Sequence, residues 1–388
     1  MPPSGIRKFF DIAAEMEDCI SLGVGEPDFV TPWDIREAAI KSLKDGMTCY
    51  TGNAGLPELR DLICRYYKER FGVSYTRAEC LVTVGASEAI DLAMRALVSP
   101  GDEVLIPAPS YVSYMPCVTL AGGVPVAVPT TSANGFKMTA EAVKPLITPR
   151  TKAIILTYPN NPTGGIMTRE DLLALSKAFE GTDIIVVTDE IYAELTYSGT
   201  HASFGALPGM WDRTVTISGF SKAFAMTGWR LGYALAPEPI LDQMLKIHQF
   251  TMLCAPIMAQ YAGIEALKNG FDTNFEEVRK MRREYNRRRN YLVRQFNSMG
   301  LTCFEPFGAF YVFPCIRSTG LTSEEFCNEL LYGKRVAVVP GGAFGNTGEG
   351  FIRCSYAYSM DHLIEACRRI SEFIAERHAK SEDYVHVI

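Results

Sequence analysis

Ser218-Gly-Phe-Ser-Lys-Ala-Phe-Ala-Met-Thr-Gly-Trp-Arg-Leu-Gly-Tyr233 sets a single lysine, Lys222, among small and apolar residues and places Arg230 eight positions after it. Burying an ammonium without a partner disfavours its charged form, lowers its pKa and leaves an amine able to attack a carbonyl. Schiff-base chemistry is the expectation. The competing expectation is a surface lysine in a glycine-rich loop, the ordinary state of this residue type. The segments on either side decide between them.

Leu81-Val-Thr-Val84 reads as a short strand running through Gly85-Ala86-Ser87 into an apolar helical pattern at Ile90, Leu92, Ala93, Ala96 and Leu97. Backbone amides at such a helix start, aided by the macrodipole, suit a phosphate, and an ordinary tight turn is the alternative. Ala153-Ile-Ile-Leu-Thr157 runs into Tyr158-Pro-Asn-Asn-Pro-Thr-Gly-Gly165, whose prolines and glycines predict a loop of fixed shape. Ile184-Ile-Val-Val-Thr188 ends at Asp189-Glu-Ile-Tyr192, placing an acid at the rim of a parallel sheet, where open α/β folds bind ligands. A helix cap is the competing role for Asp189.

With Gly25-Glu-Pro-Asp-Phe29, Tyr50-Thr-Gly-Asn-Ala-Gly55, Asn160-Asn-Pro-Thr-Gly164 and Arg353-Cys-Ser-Tyr356 in the same order, the chain resembles a class I, fold-type I aminotransferase using pyridoxal 5′-phosphate. The resemblance runs from Ser4-Gly-Ile-Arg7 to the last expected helix. It implies that Lys222 joins the cofactor and moves the proton at the substrate α-carbon, and that Asp189 pairs with the pyridine nitrogen. It further implies that Tyr192 and Asn161 donate to the phenolic oxygen and Tyr111 stacks on the ring. Gly85, Ala86, Ser87 and Arg230 would hold the phosphate, with Tyr50 reaching in from a neighbouring subunit of a homodimer. One departure stands out. The position three before the lysine, often serine or threonine in related enzymes, is Gly219, so Ser218 or Ser221 is the substitute. Arg353 would clasp the substrate α-carboxylate with its planar fork, and Gly25 and Asn161 would line that site.

The implied activity is transfer of an amino group from an L-amino acid to a 2-oxo acid by a ping-pong mechanism. The same chemistry also fits a carbon–sulfur β-lyase, and a non-catalytic amino-acid-sensing module is the alternative from another class. The subgroup resembled includes aromatic, N-acetyl-diaminopimelate and aspartate aminotransferases of bacteria, and the sequence does not choose among their substrates.

Composition agrees. The chain has 388 residues, 47% of them hydrophobic, enough for a large core and two lobes. A formal net charge of −6 argues against a nucleic-acid surface. The basic run Arg282–Arg289 follows Glu276 and Glu277 and reads as a solvated, ion-paired helix face. Eleven scattered cysteines lack Cys-x-x-Cys spacing, five histidines lack metal-ligand spacing, and no apolar leader precedes the N-terminus, so a reducing cytoplasm and no metal are expected. No apolar run approaches a membrane span. The glycine-rich stretch Pro340–Gly350 lies between strand patterns and does not open a helix, which removes a nucleotide-binding reading.

Alternating strands and helices predict a large α/β domain over 42–285 with a mostly parallel, doubly wound sheet. A smaller α+β domain would combine 1–41 with 286–388, using strands Ala309–Phe313 and Val336–Val339 and a closing helix over Met360–Arg377. Ser381–Ile388 reads as a loose tail.

Overall fold

The computed structural model describes residues 15–385, with side chains as far as Arg377. Ser4–Arg7, where the family resemblance begins, and the last three residues of the expected tail lie outside the described residues. Twelve strands occur among those described: β1 (Ile20–Ser21), β2 (Cys80–Thr83), β3 (Glu103–Ala108), β4 (Val124–Pro129), β5 (Thr151–Thr157), β6 (Ile185–Asp189), β7 (Thr214–Gly219), β8 (Gly232–Leu235), β9 (Tyr311–Val312), β10 (Val336–Ala337), β11 (Val339–Pro340) and β12 (Ile352–Ser355).

Seven of them form the main sheet in the order β2-β8-β7-β6-β5-β3-β4. Pairings from β7 through β6, β5 and β3 to β4 are parallel, while β8 is antiparallel to both β2 and β7. Only β8 is therefore reversed. Strands β2, β3, β7 and β8 are buried throughout because helices cover both sheet faces, even β7, whose Thr214-Val-Thr-Ile-Ser-Gly219 alternates polar and apolar residues. The direction of β8 matters for the site. The lysine segment is a loop folded back from the end of β7 to the start of β8, so it opens at the same rim as the carboxyl ends of β2, β3, β5 and β6.

A second sheet, β11-β12-β9, is antiparallel, and β1 pairs in parallel with β10, tying the N-terminal segment to the C-terminal part. The strand expected over Val336–Val339 is two strands serving two sheets, with Val338 between them. The glycine-rich stretch after Pro340 connects antiparallel β11 and β12 through two short turns, as its position between strand patterns predicts.

The helix Glu276–Ser298 spans both cores. Val278 packs with the aromatic cluster around Tyr67 and Phe220, while Met281, Tyr285, Leu292 and Phe296 pack with the cluster around Phe310 and Val312. Its basic run corrects the expectation of a solvated face. Arg283 and Arg287 are exposed and paired with Glu276 and Glu284, but Arg288 is buried against Asp28 at 2.8 Å and Arg289 donates to the Pro306 carbonyl at 2.9 Å. The last helix runs over Met360–Val385, so residues 381–385 continue it and do not form a loose tail. All eleven cysteines are free thiols, and no helix among the described residues is long and apolar enough to cross a membrane.

Candidate active site

A cavity of about 390 Å³ opens at the rim shared by the strand ends. Its wall includes Gly25, Ala86, Ser87, Tyr111, Asn161, Asp189, Tyr192, Ser221, Lys222, Arg230 and Arg353. Of the residues singled out from the sequence, Gly85 lies just behind the wall and Tyr50 stands apart from it, 83% exposed.

Lys222 is half-buried, and its Nζ donates to the Gly25 carbonyl at 2.7 Å. Burial pushes its pKa down from 10.5 to about 8; Glu26 and Asp189 oppose this fall, while the guanidiniums of Arg353 and Arg230 add to it. The amine is thus partly neutral near physiological pH, the condition that desolvation was expected to create.

Asp189 ends β6 and is buried. One carboxylate oxygen accepts the Ile191 N–H at 3.0 Å and the other accepts the Tyr114 hydroxyl at 2.8 Å. Burial raises its pKa from 3.8 to about 6, against the lowering effect of those two donors. An acid whose folded pKa is raised contributes stability that is complete below its unfolded pKa and lost as pH rises through the folded one. Asp189→Asn is therefore expected to raise the unfolding free energy of the cofactor-free protein above pH 6 by about 3 kcal/mol, with the gain vanishing toward pH 4. Thermal unfolding across that pH range checks this, and a variant less stable than the parent at pH 8 contradicts it.

Arg353, on β12, donates through Nη1 to Asn161 Oδ1 at 2.8 Å and through Nη2 to the Gly23 carbonyl at 2.6 Å. Its Nε is buried and has no partner. A buried guanidinium N–H without an acceptor is costly, and a carboxylate brought to it removes that cost. The guanidinium also faces the rings of Tyr311 and Phe344, 4.5 and 4.9 Å from their centroids. Gly25 is required here because a Cβ would collide with the Tyr311 hydroxyl.

At the other end, the helix Gly85–Leu97 starts directly after β2, with Gly85 at φ 76°. A side chain on Gly85 would run into the Arg230 guanidinium, so the bare helix start and the arginine form one cradle. Arg230 itself has φ 52° and donates to the Thr227 carbonyl at 2.9 Å; a non-glycine residue in that region is strained, as often found at ligand sites. Gly219 has a structural reason. Its missing side chain would sit 2.9 Å from the Gly232 Cα and the Leu231 carbonyl, so a serine does not fit. Ser221 lines the cavity, whereas the Ser218 hydroxyl turns to the Glu190 carbonyl at 3.3 Å.

The cavity also contains residues not singled out from the sequence. Tyr114 bridges Asp189 and Thr157, and the Tyr311 hydroxyl lies 2.8 Å from that of Tyr192. Val112 and Ile191 supply apolar wall. For Tyr114 the available signal was its spacing from Tyr111, three residues back at a helix start. For Tyr311 it was an aromatic residue central to an expected strand. Neither signal names the partner.

These residues fit pyridoxal phosphate. The Gly85 cradle suits a phosphate, Asp189 a ring nitrogen, Lys222 a carbonyl, and the unpaired Arg353 Nε a substrate carboxylate. A family model described as aminotransferase class I and II matches residues 17–370. The protein YugH of Bacillus subtilis (strain 168) is 57% identical over 373 residues, with 96% of each chain covered. Aspartate aminotransferase of Pyrococcus abyssi is 45% identical, covering 97% of this chain and 96% of its own. The crystal structure of an aromatic aminotransferase from Pyrococcus horikoshii OT3 matches with a TM-score of 0.91 at 42% identity, covering 96% of this chain and 100% of its own. The lysine loop, the sheet rim and the whole-chain likeness agree: this chain belongs to the class I and II aminotransferases, pyridoxal-phosphate enzymes that move amino groups between amino acids and 2-oxo acids.

Proposed function

We propose that this one cavity takes an L-amino acid and a 2-oxo acid in turn, with Lys222 joining the cofactor and carrying the proton. The observation that carries the reading is a lysine of lowered basicity sharing a cavity with two guanidiniums, Arg230 beside a bare helix start and Arg353 with an unpaired N–H. Bound pyridoxal phosphate supplies a carbonyl that condenses with amines and a ring that accepts the electron pair released at the α-carbon.

The amides of Gly85, Ala86 and Ser87 and the Arg230 side chain take the phosphate charge, with Ser221 beside them. Asp189, oriented by Tyr114 and the Ile191 amide, keeps a carboxylate for the ring nitrogen, whose positive charge favours the ionised form. Arg353 occupies the acceptor side of Asn161, which leaves the Asn161 amide NH2 to donate to the phenolic oxygen together with Tyr192. Tyr111, in the cavity wall, would stack on the ring. Arg353 would hold the substrate carboxylate beside Gly25, and Lys222, as a free amine, would move the proton at the substrate α-carbon through its Nζ.

The cavity draws Gly25, Tyr311 and Arg353 from the lobe formed by 1–41 and 286–388, and its remaining wall from the lobe formed by 42–285. Tyr50, exposed and apart from its own cavity, suits a homodimer in which it completes the neighbour's phosphate site. The free cysteines suit a reducing cytoplasm.

The test uses the cofactor-loaded protein and single amino acids with no oxo acid present, recording the visible spectrum. Conversion to the aminated cofactor, with one equivalent of 2-oxo acid released per site, is expected. Pyruvate and ammonia appearing catalytically from a β-substituted amino acid, with no conversion by unsubstituted donors, would instead establish the lyase.

A further inference from the structure

Glu88 stands one residue beyond Ser87 in the first turn of the helix Gly85–Leu97, and it does not line the cavity. One of its carboxylate oxygens accepts the Val84 N–H, and the other lies 2.6 Å from His248 Nδ1. His248, on the helix Glu238–Thr251, is completely buried, and its Nε2 is buried with no partner. Buried N–H groups without acceptors are rarer than buried acceptors without donors, so the bare Nε2 favours the tautomer in which Nδ1 carries the proton and donates to Glu88.

The placement is unusual for an anion site. A carboxylate in the first turn complements the helix dipole, yet here it stands next to amides assigned to a doubly charged phosphate, where its charge opposes the ligand. What it gives in return is orientation. Val84 precedes the helix with φ −77° and ψ 69°, and its own side chain cannot cap. Glu88 supplies the missing acceptor from four residues on, and His248 holds Glu88 in that position. With the Val84 amide fixed, the next N–H groups, those of Gly85, Ala86 and Ser87, point in set directions.

We propose that Glu88 and His248 are positioning residues for the phosphate end of the cavity, holding the Val84 amide so that the following three amides converge on the phosphate. The proposal rests on the assignment of Gly85–Ser87 to the phosphate made above. Its signature is selectivity for the phosphate, which general loosening of the fold would not produce.

The apoprotein is titrated by calorimetry with pyridoxal phosphate, pyridoxal and inorganic phosphate. Glu88→Ala is expected to weaken pyridoxal phosphate and inorganic phosphate about tenfold while leaving pyridoxal within about twofold, the size of effect set by a lost cap. Glu88→Gln retains an acceptor for Val84 but turns an NH2 toward the Nδ1–H, so it is expected to recover the phosphate affinity in part, between Glu88→Ala and the parent. If Glu88→Ala does not fold, His248→Leu leaves Glu88 unheld and gives the same readout. Equal weakening of all three ligands, tighter phosphate binding by Glu88→Ala, or no rescue by glutamine overturns the proposal. Arg230→Gln separates it from the reading beneath. Phosphate affinity lost there but kept in Glu88→Ala leaves the phosphate site standing and removes the pair's role. A wild-type protein with no preference for phosphorylated ligands removes both.

Discussion

Lys222→Ala is expected to abolish the covalent attachment of pyridoxal phosphate and to lower turnover roughly 10⁴-fold or more, because it removes the nucleophile and the proton carrier together. Two readouts check it. The visible band of the attached cofactor should be absent, and mass spectrometry after borohydride reduction should find no modified lysine. Turnover within tenfold of the parent would sink the assignment. Collapse of the fold is not a competing explanation if Lys222→Met is measured beside it. A lysine whose folded pKa is depressed to about 8 weakens the fold most below that pH, and the penalty fades as pH rises toward 10.5. The methionine variant, which has no charge to bury, should thus melt above the parent apoprotein at pH 7 while remaining inactive.

Arg353→Lys should lower kcat/KM by about 10²- to 10³-fold, the size expected when one partner of a buried, hydrogen-bonded charge pair is changed. Lysine retains the charge but presents a single point, so the planar fork and its Nε donor are lost. The distribution of the loss is diagnostic. Donor and acceptor both carry a carboxylate beside the reacting carbon, so KM should rise for both in similar proportion. A loss confined to one substrate would mean that Arg353 reads a side chain and not the shared carboxylate.

The parts of this protein that were legible in sequence are those whose causes are local. Glycine after β2 exposes amides, and an acid after an apolar strand sits at a sheet rim. Each of these arguments needs only a few neighbouring residues, whereas Lys222 among small residues could equally face solvent and was decided by the motifs around it. Arg288 shows the opposite case. It sits in a run of arginines with Glu284 four positions before it, and its burial is decided by Asp28, 260 positions distant. Tyr114 and Tyr311 escaped for the same reason, since their roles come from Asp189 and Tyr192 on other elements. The reversal of β8 was likewise invisible, because a short buried strand has the same composition in either direction. Val336–Val339 kept its strand character, but no local pattern says that a chain leaves one sheet and enters another in the middle of an apolar run.

The carbonyls of Gly23 and Gly25 are held by Arg353 and Lys222, the same two groups assigned to substrate and cofactor. Asn161 and the Gly23 carbonyl hold one N–H on each Nη of Arg353, so the fork is set before any carboxylate arrives and its buried Nε is the donor left to meet one. An incoming carboxylate therefore loses little entropy to ordering the side chain and relieves an unmatched N–H. The preset fork reads what donor and acceptor have in common and nothing that distinguishes them. That indifference suits a cavity that takes two acids in turn.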